Sequence, residues 1–318
     1  MTVRSAVLAL LALLLAACSA TGTRSPAPGT APLLAMAESR HYLEPLRRQR
    51  HEAAVLAAQA MLGAYAERGD ADSCEGASCA DDHIETLREL AVAYSQLGLH
   101  RMSFAVYQAV LAQRPDEATS YEDVAAEQMF LGRDEDAARN YERALELSRE
   151  SHAPTLGLAA TFSLLTDDLA RARARFESCV RLGKPARTVQ YCAIGLAVVK
   201  TRGGNDSLLL AVTPASSWPG PLLAHLRGEI DEAALAKRIA SGEPDMQREH
   251  LSEALYHLGE SHLARGDRAQ ALRCFRANQA LRVEAFFETE ASARRIRQLG
   301  GADDPEPAPV PAQHAPIG

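Results

Sequence analysis

The chain has 318 residues, 47% of them hydrophobic, 24% charged and only 5% aromatic. Alanine and leucine are prominent, a mix that suits helices, and the length holds one long repeat domain or two ordinary ones. A formal net charge of −7 excludes the basic footprint of a nucleic-acid binder and gives no attraction to an anionic membrane surface.

In chain order, the N-terminus speaks first. Arg4 supplies a positive charge ahead of an apolar run from Val7 to Leu14. That run is too short for a membrane span, which needs about 20 apolar residues, and fits the core of a secretory signal over residues 1–17. Its end, Leu15-Ala16-Ala17-Cys18, resembles a bacterial lipobox. The resemblance implies that the Cys18 thiol takes diacylglycerol and becomes the first mature residue, anchoring the protein to the membrane by its lipid. Ser19 in place of Asp resembles the arrangement that sends enteric lipoproteins to the outer membrane. Each buried acyl methylene contributes roughly 0.8 kcal/mol to such an anchor. Residues 18–34 then read as a Ser/Thr/Pro/Gly tether, too polar to order itself.

Residues 35–83 predict a helical segment, with Pro45 opening a helix that reaches Glu67, followed by a polar loop carrying Cys74 and Cys79. An oxidising compartment permits disulfides. This pair is read as a small disulfide ring rather than a metal site, because no second ligand pair lies at zinc spacing.

Between 84 and 202 the chain repeats. Gly98 and Gly132 stand 34 residues apart, the period of tetratricopeptide repeats. The first unit, Ile84 to Glu117, places Leu87, Leu90, Ala91, Tyr94, Tyr107 and Pro115 at signature positions, with Ser103 where a small Ala is usual. The second, Ala118 to Ser151, follows with Val124, Ala125, Ala137, Tyr141 and Ala144. Small residues let paired helices approach, and large ones spaced i, i+3, i+4 and i+7 fill the groove between them. A weaker third unit covers about 153–187, one residue out of register, with Asp167-Asp168 in place of the turn glycine. A further helix over 186–202 carries Cys192, and Cys179 at the end of the preceding hairpin faces its start. A Cys179–Cys192 bridge is therefore predicted, leaving Cys274 unpaired beside Phe275.

A connector over 203–248 holds Trp218, the only tryptophan, and two short helices at about 221–227 and 231–241. Residues 249–300 resume the repeat through Leu255, Leu258-Gly259, Gly266, Ala271 and Phe275, and a helix at about 285–299 is expected to cap the stack with Arg294, Arg295 and Arg297 outward. A Pro/Ala tail, 301–318, ends the chain. The predicted architecture is all-α, a tetratricopeptide-repeat solenoid of antiparallel helix hairpins.

The segment Ala93-Tyr94-Ser95-Gln96-Leu97-Gly98-Leu99, the phrase Val110-Leu111-Ala112-Gln113-Arg114-Pro115, the connector with Trp218 and Gly228-Glu229-Ile230, and Leu251-Ser252-Glu253-Ala254-Leu255-Tyr256-His257-Leu258-Gly259 together resemble the NlpI type of repeat lipoprotein. The similarity covers about 84–300. It implies a dimeric, lipid-anchored periplasmic scaffold that brings peptidoglycan hydrolases together with their partners or delivers an endopeptidase to a processing protease. The Cys74–Cys79 loop, the weak third repeat and the proline tail depart from that type, and put the partner's identity in question more than the scaffold role.

No nucleophile elbow, phosphate loop, zinc-protease motif or dinucleotide fingerprint occurs, so no catalytic residue, metal or cofactor is expected. His250, His257 and His262 do not fall on one helical face. A solenoid binds proteins on the concave surface formed by the first helix of each repeat. In this register the surface includes Glu85, Arg88, Val92, Gln96, Glu122, Met129, Phe130, Leu164 and Leu165. Met129 and Phe130 stand out there, since exposed apolar patches mark partner sites, although a neighbouring helix covering them is an equal reading. The main alternative function is a pilotin or outer-membrane assembly factor of the same repeat type; an envelope hydrolase with an unfamiliar site is the third.

Overall fold

The computed structural model describes residues 31–39, 44–67, 77–203 and 211–300, and every regular element among them is a helix. Cys18, Cys74 and the tail after 300 lie outside the described residues, as does the Cys79 side chain, so the lipid anchor and the Cys74–Cys79 ring belong to the sequence reading alone.

The repeat array consists of helix hairpins. Helix α1 is Pro32–Glu38 and α2 is Glu44–Glu67. Three hairpins follow: α3 (Ala77–Gln96) with α4 (His100–Gln113), α5 (Ala118–Phe130) with α6 (Asp134–Leu147), and α7 (Ala153–Leu165) with α8 (Leu169–Leu182). Helix α9 (Ala186–Thr201) packs on both members of the third hairpin. Short helices α10 (Gly220–Leu226) and α11 (Glu232–Ala240) lead to a last hairpin, α12 (Pro244–Ala264) and α13 (Arg268–Ala280), and then α14 (Phe287–Gln298).

One steric rule builds all four hairpins. Ala91 and Tyr107, Ala125 and Tyr141, Ala160 and Phe176, Gly259 and Phe275 are each sixteen positions apart, and all eight are buried. The small residue lets the second helix lay an aromatic ring across the first. At Gly259 the fit leaves no room for a methyl: a Cβ there would come within 2.5 Å of the Phe275 ring. Between the helices, Ser103 donates its hydroxyl to the Ala91 carbonyl at 2.8 Å, so the hydroxyl that departs from the usual alanine is satisfied inside the core.

The turns also share one geometry. The amides of Leu99, Arg133, Asp168 and Asp267 donate to the carbonyls of Tyr94, Gln128, Ser163 and His262, each five residues back. This closure requires a left-handed residue just after the helix. Gly98 and Gly132 supply it at φ +73° and +68°, and Asp167 adopts it at +59°, which explains how the third unit turns without glycine.

Helix α14 packs on the last hairpin, against α13 and α12, as the expected capping helix does. The outward placement expected of its arginines is what the structure corrects. The helix runs along the side formed by the first helices, where Ala291 and Ile296 join one core with Met129, Leu164, Leu165 and Tyr256, and Phe287 and Leu299 pack against it. Arg294 and Arg295, expected outward, point back into the molecule. Arg294 donates to both oxygens of Asp134 (2.7 and 2.9 Å), and Arg295 to Glu260 (2.7 Å).

The N-terminal segment closes on the same region. Residues 33 and 34, read from sequence as tether, are buried in α1, which packs on α11, α12 and α13. The Leu33 amide donates to Glu232 (3.0 Å). Arg47 in α2 donates to the Arg282 carbonyl (3.1 Å) and to Gln96 (2.5 Å).

Candidate functional site

The surface expected to bind partners is largely occupied by the chain itself. Met129 is 5% exposed, Leu164 2% and Glu122 7%, so none of the three is open surface. Glu122 accepts the Thr155 hydroxyl. Phe130 stacks on His100 with ring centroids 4.5 Å apart, and His100 in turn meets Glu127 at 2.9 Å. Arg88 pairs with Glu117 (2.6 Å) and approaches Asp123 (3.7 Å), and Gln96 accepts from Arg47. The physical reason is α14: the apolar residues at the C-terminal ends of α5 and α7 found their partner in the same chain. Val92, at the open end of this side, remains 48% exposed.

The structure joins Cys179 and Cys192 in a disulfide that ties α8 to α9, and leaves Cys274 free and buried. Burial and the nearby Glu232 carboxylate push the Cys274 thiol up to about 12, so it is inert at neutral pH. Among the described residues no group of His, Cys, Asp and Glu side chains could hold a metal ion. His250 instead stacks on Trp218 at 4.1 Å between ring centroids.

What α14 leaves uncovered is a cavity of about 350 Å³, a size at the lower end of small-ligand sites. Helix α7 contributes Gly157, Leu158, Thr161 and Leu164; α9 contributes Thr188, Tyr191 and Gly195; α12 contributes His257, and α14 contributes Phe287 and Glu288. The wall is mainly apolar, with Thr161, Thr188, Tyr191, His257 and Glu288 as its polar members. Leu158 is 42% exposed and extends the apolar surface beyond the cavity.

A carboxyl pair lies beside that wall. Glu253 on α12 accepts the Tyr191 hydroxyl at 3.2 Å and the Trp218 indole N–H at 3.0 Å. Burial, and then the neighbouring Glu288 carboxylate, raise Glu253 well above the ordinary range. Glu288 is raised by burial too. Sequence reasoning missed this arrangement, since its members come from α9, α12, α14 and the connector; the one local hint was Trp218 beside proline in an otherwise polar segment.

A second buried set locks the opposite end. Glu260, with 2% of its side chain exposed, accepts from Arg202 (2.9 and 3.0 Å) and from Arg295 (2.7 Å). Burial opposes the charge, yet the two guanidinium groups hold the carboxyl below its ordinary value. Arg202 also reaches the Leu164 carbonyl and Asp167. This set is structural: its donors and acceptors are turned on one another.

On the outer side of the first hairpin, α2 rests on α3 through Ala58, Leu90 and Tyr94, with Val55 and Leu62 beside them. Its other face is apolar and open, with Leu56 67% and Met61 46% exposed. No helix among the described residues is long and apolar enough to cross a membrane.

No family model matches the sequence. Among solved structures the chain is similar to BtubC (BKLC) from P. vanneervenii, at 15% identity and a TM-score of 0.42, over 82% of this chain and 94% of that one. It is also similar to a tetratricopeptide repeat protein from Parabacteroides merdae, at 13% identity and a TM-score of 0.47, over 86% of this chain and all of that one. The repeat assignment itself rests on the period, the turns and the small-against-aromatic pairs.

Proposed function

We propose that the protein is a protein-binding repeat scaffold, lipid-anchored through Cys18 at the periplasmic face of the outer membrane. There it brings peptidoglycan hydrolases or a processing protease together with their partners. The observation that carries the binding role is the open apolar face of α2, where Leu56 and Met61 stand in water on a helix already packed through its other side. Exposed apolar surface of this kind marks contact with another protein. The anchor and compartment rest on the Leu15–Cys18 motif, and the partner class and a homodimeric state on the resemblance to NlpI-type lipoproteins.

The test is affinity capture from crosslinked cells with the full lipidated chain and with a Leu56→Glu/Met61→Glu variant. Cell-wall hydrolases or a processing protease enriched by the wild type and lost in the variant support the proposal. Equal recovery by both proteins removes α2 as the binding face. Recovery of a secretin or barrel-assembly machinery in place of hydrolases replaces the adaptor reading with the pilotin one.

A further inference from the structure

The cavity beneath α14 has features that a packing defect lacks. A void left by imperfect packing is apolar throughout. This one has Glu288 in its wall, and no ion pair is formed to Glu288 among the described residues. Tyr191 connects the wall to Glu253, so two carboxyl groups from α12 and α14 share one neighbourhood. Arg187, a cation acting on Glu253, lies over the Tyr191 ring at 5.8 Å.

A second, independent observation comes from His257. Its side chain is buried, 5% exposed, and forms part of the same wall, while its Nδ1 has no hydrogen-bond partner. A buried polar atom without a partner costs roughly 1–3 kcal/mol, and native structures keep few of them. The wall therefore presents apolar surface, a Glu288 carboxyl with no ion pair among the described residues, and an imidazole whose Nδ1 has no partner.

We propose that this cavity binds a segment of a partner protein that presents a large apolar side chain next to an arginine or lysine. The apolar side chain fills the space between Leu164 and Phe287, and the cation lies against Glu288. The volume suits one large side chain and the stem of its neighbour. Leu158 at the rim gives the flanking peptide an apolar surface that a ligand confined to the cavity would leave wet. The charge of the site selects the cation, since a partly buried carboxylate gains more than an exposed one from a desolvated partner of opposite sign. Burial raises both Glu253 and Glu288 in the free protein, and the Glu288 carboxylate adds its repulsion at Glu253; a cation against Glu288 offsets these costs. This inference rests on the scaffold reading and gives it a recognised sequence.

Calorimetric titration of the full chain with the acetylated, amidated hexapeptide Gly-Ser-Phe-Arg-Ser-Gly tests it. Binding is expected below about 1 mM, weakened about tenfold or more when the peptide's Arg becomes Glu or its Phe becomes Ala. Glu288→Gln should abolish the preference for Arg over Ala at that place. Leu158→Ser, at a position 42% exposed, should weaken every peptide alike. No binding at 1 mM, or binding unchanged by both variants, overturns the proposal. Phenethylamine binding as tightly as the hexapeptide overturns it in favour of a small organic cation. Loss of peptide binding while α2-dependent capture persists defeats this inference alone and leaves the scaffold standing.

Discussion

His257 belongs to α12 with 5% of its surface exposed, and the charged groups acting on it are Glu260, Arg202 and His225. Burial first, and then Arg202 and His225, outweigh the attraction of Glu260 and lower it from 6.5 to about 4. Between these values the unfolded chain binds a proton that the folded chain refuses, so stability rises with pH across that window. The contribution is complete above 6.5 and lost as pH falls toward 4. Lowering pH from 7 to 5 should cost the wild type about 1–2 kcal/mol more than His257→Gln, by the usual 1.36 kcal/mol for each pKa unit. His250, also lowered to about 4 by burial, remains in both proteins and keeps part of the slope. Urea unfolding at the two pH values measures the difference; parallel losses would show that His257 takes its proton freely when folded.

At the scale of the element, hairpins are read from sequence where one residue decides one contact. Gly98 and Gly132 mark the turns because they adopt positive φ. Tyr107 and Tyr141 mark the cores because a ring needs a small residue opposite. The third turn was obscured because Asp167 does with strain what glycine does without it. Gly259 shows how little room the packing rule leaves. Gly259→Ala brings a methyl to 2.5 Å from the Phe275 ring. Overpacking of a filled core costs about 1–3 kcal/mol, against a helix-propensity gain of about 1 kcal/mol. A net loss of up to about 2 kcal/mol is expected. Gly63→Ala in α2 meets nothing within 4 Å and should gain up to about 1 kcal/mol. Denaturation midpoints that fall for the first and rise for the second are the expected outcome; a neutral Gly259→Ala would show that Phe275 moves aside freely.

At the scale of the whole molecule, the sequence pattern misleads for a physical reason. Arg294 and Arg295 look like the polar outer face of a capping helix, since periodicity records only which residues share a side. Beside local contacts to Glu290 and Gln298, their partners Asp134, Asp167 and Glu260 stand 35 to 160 positions away, beyond any local rule. The same distance hid the fate of Met129 and Leu164, which looked like partner surface until α14 covered them. Glu260 is the point where this closure is held, since its carboxylate joins Arg202 of the segment ending α9 to Arg295 of α14 from within α12. Glu260→Gln keeps the shape, removes the charge and leaves two guanidinium groups, with 11% and 14% of their side chains exposed, facing a neutral amide. Breaking a buried pair from one side costs about 3–5 kcal/mol, and the isosteric amide should bring that to about 3 kcal/mol. If the clamp holds α14 in place, hydrogen exchange in α14 and at the C-terminal ends of α5 and α7 should accelerate before the rest of the array loosens. Uniform acceleration along the chain would mean that the hairpins and α14 unfold as one unit, and that closure is a consequence of the array's stability, not a separate step upon it.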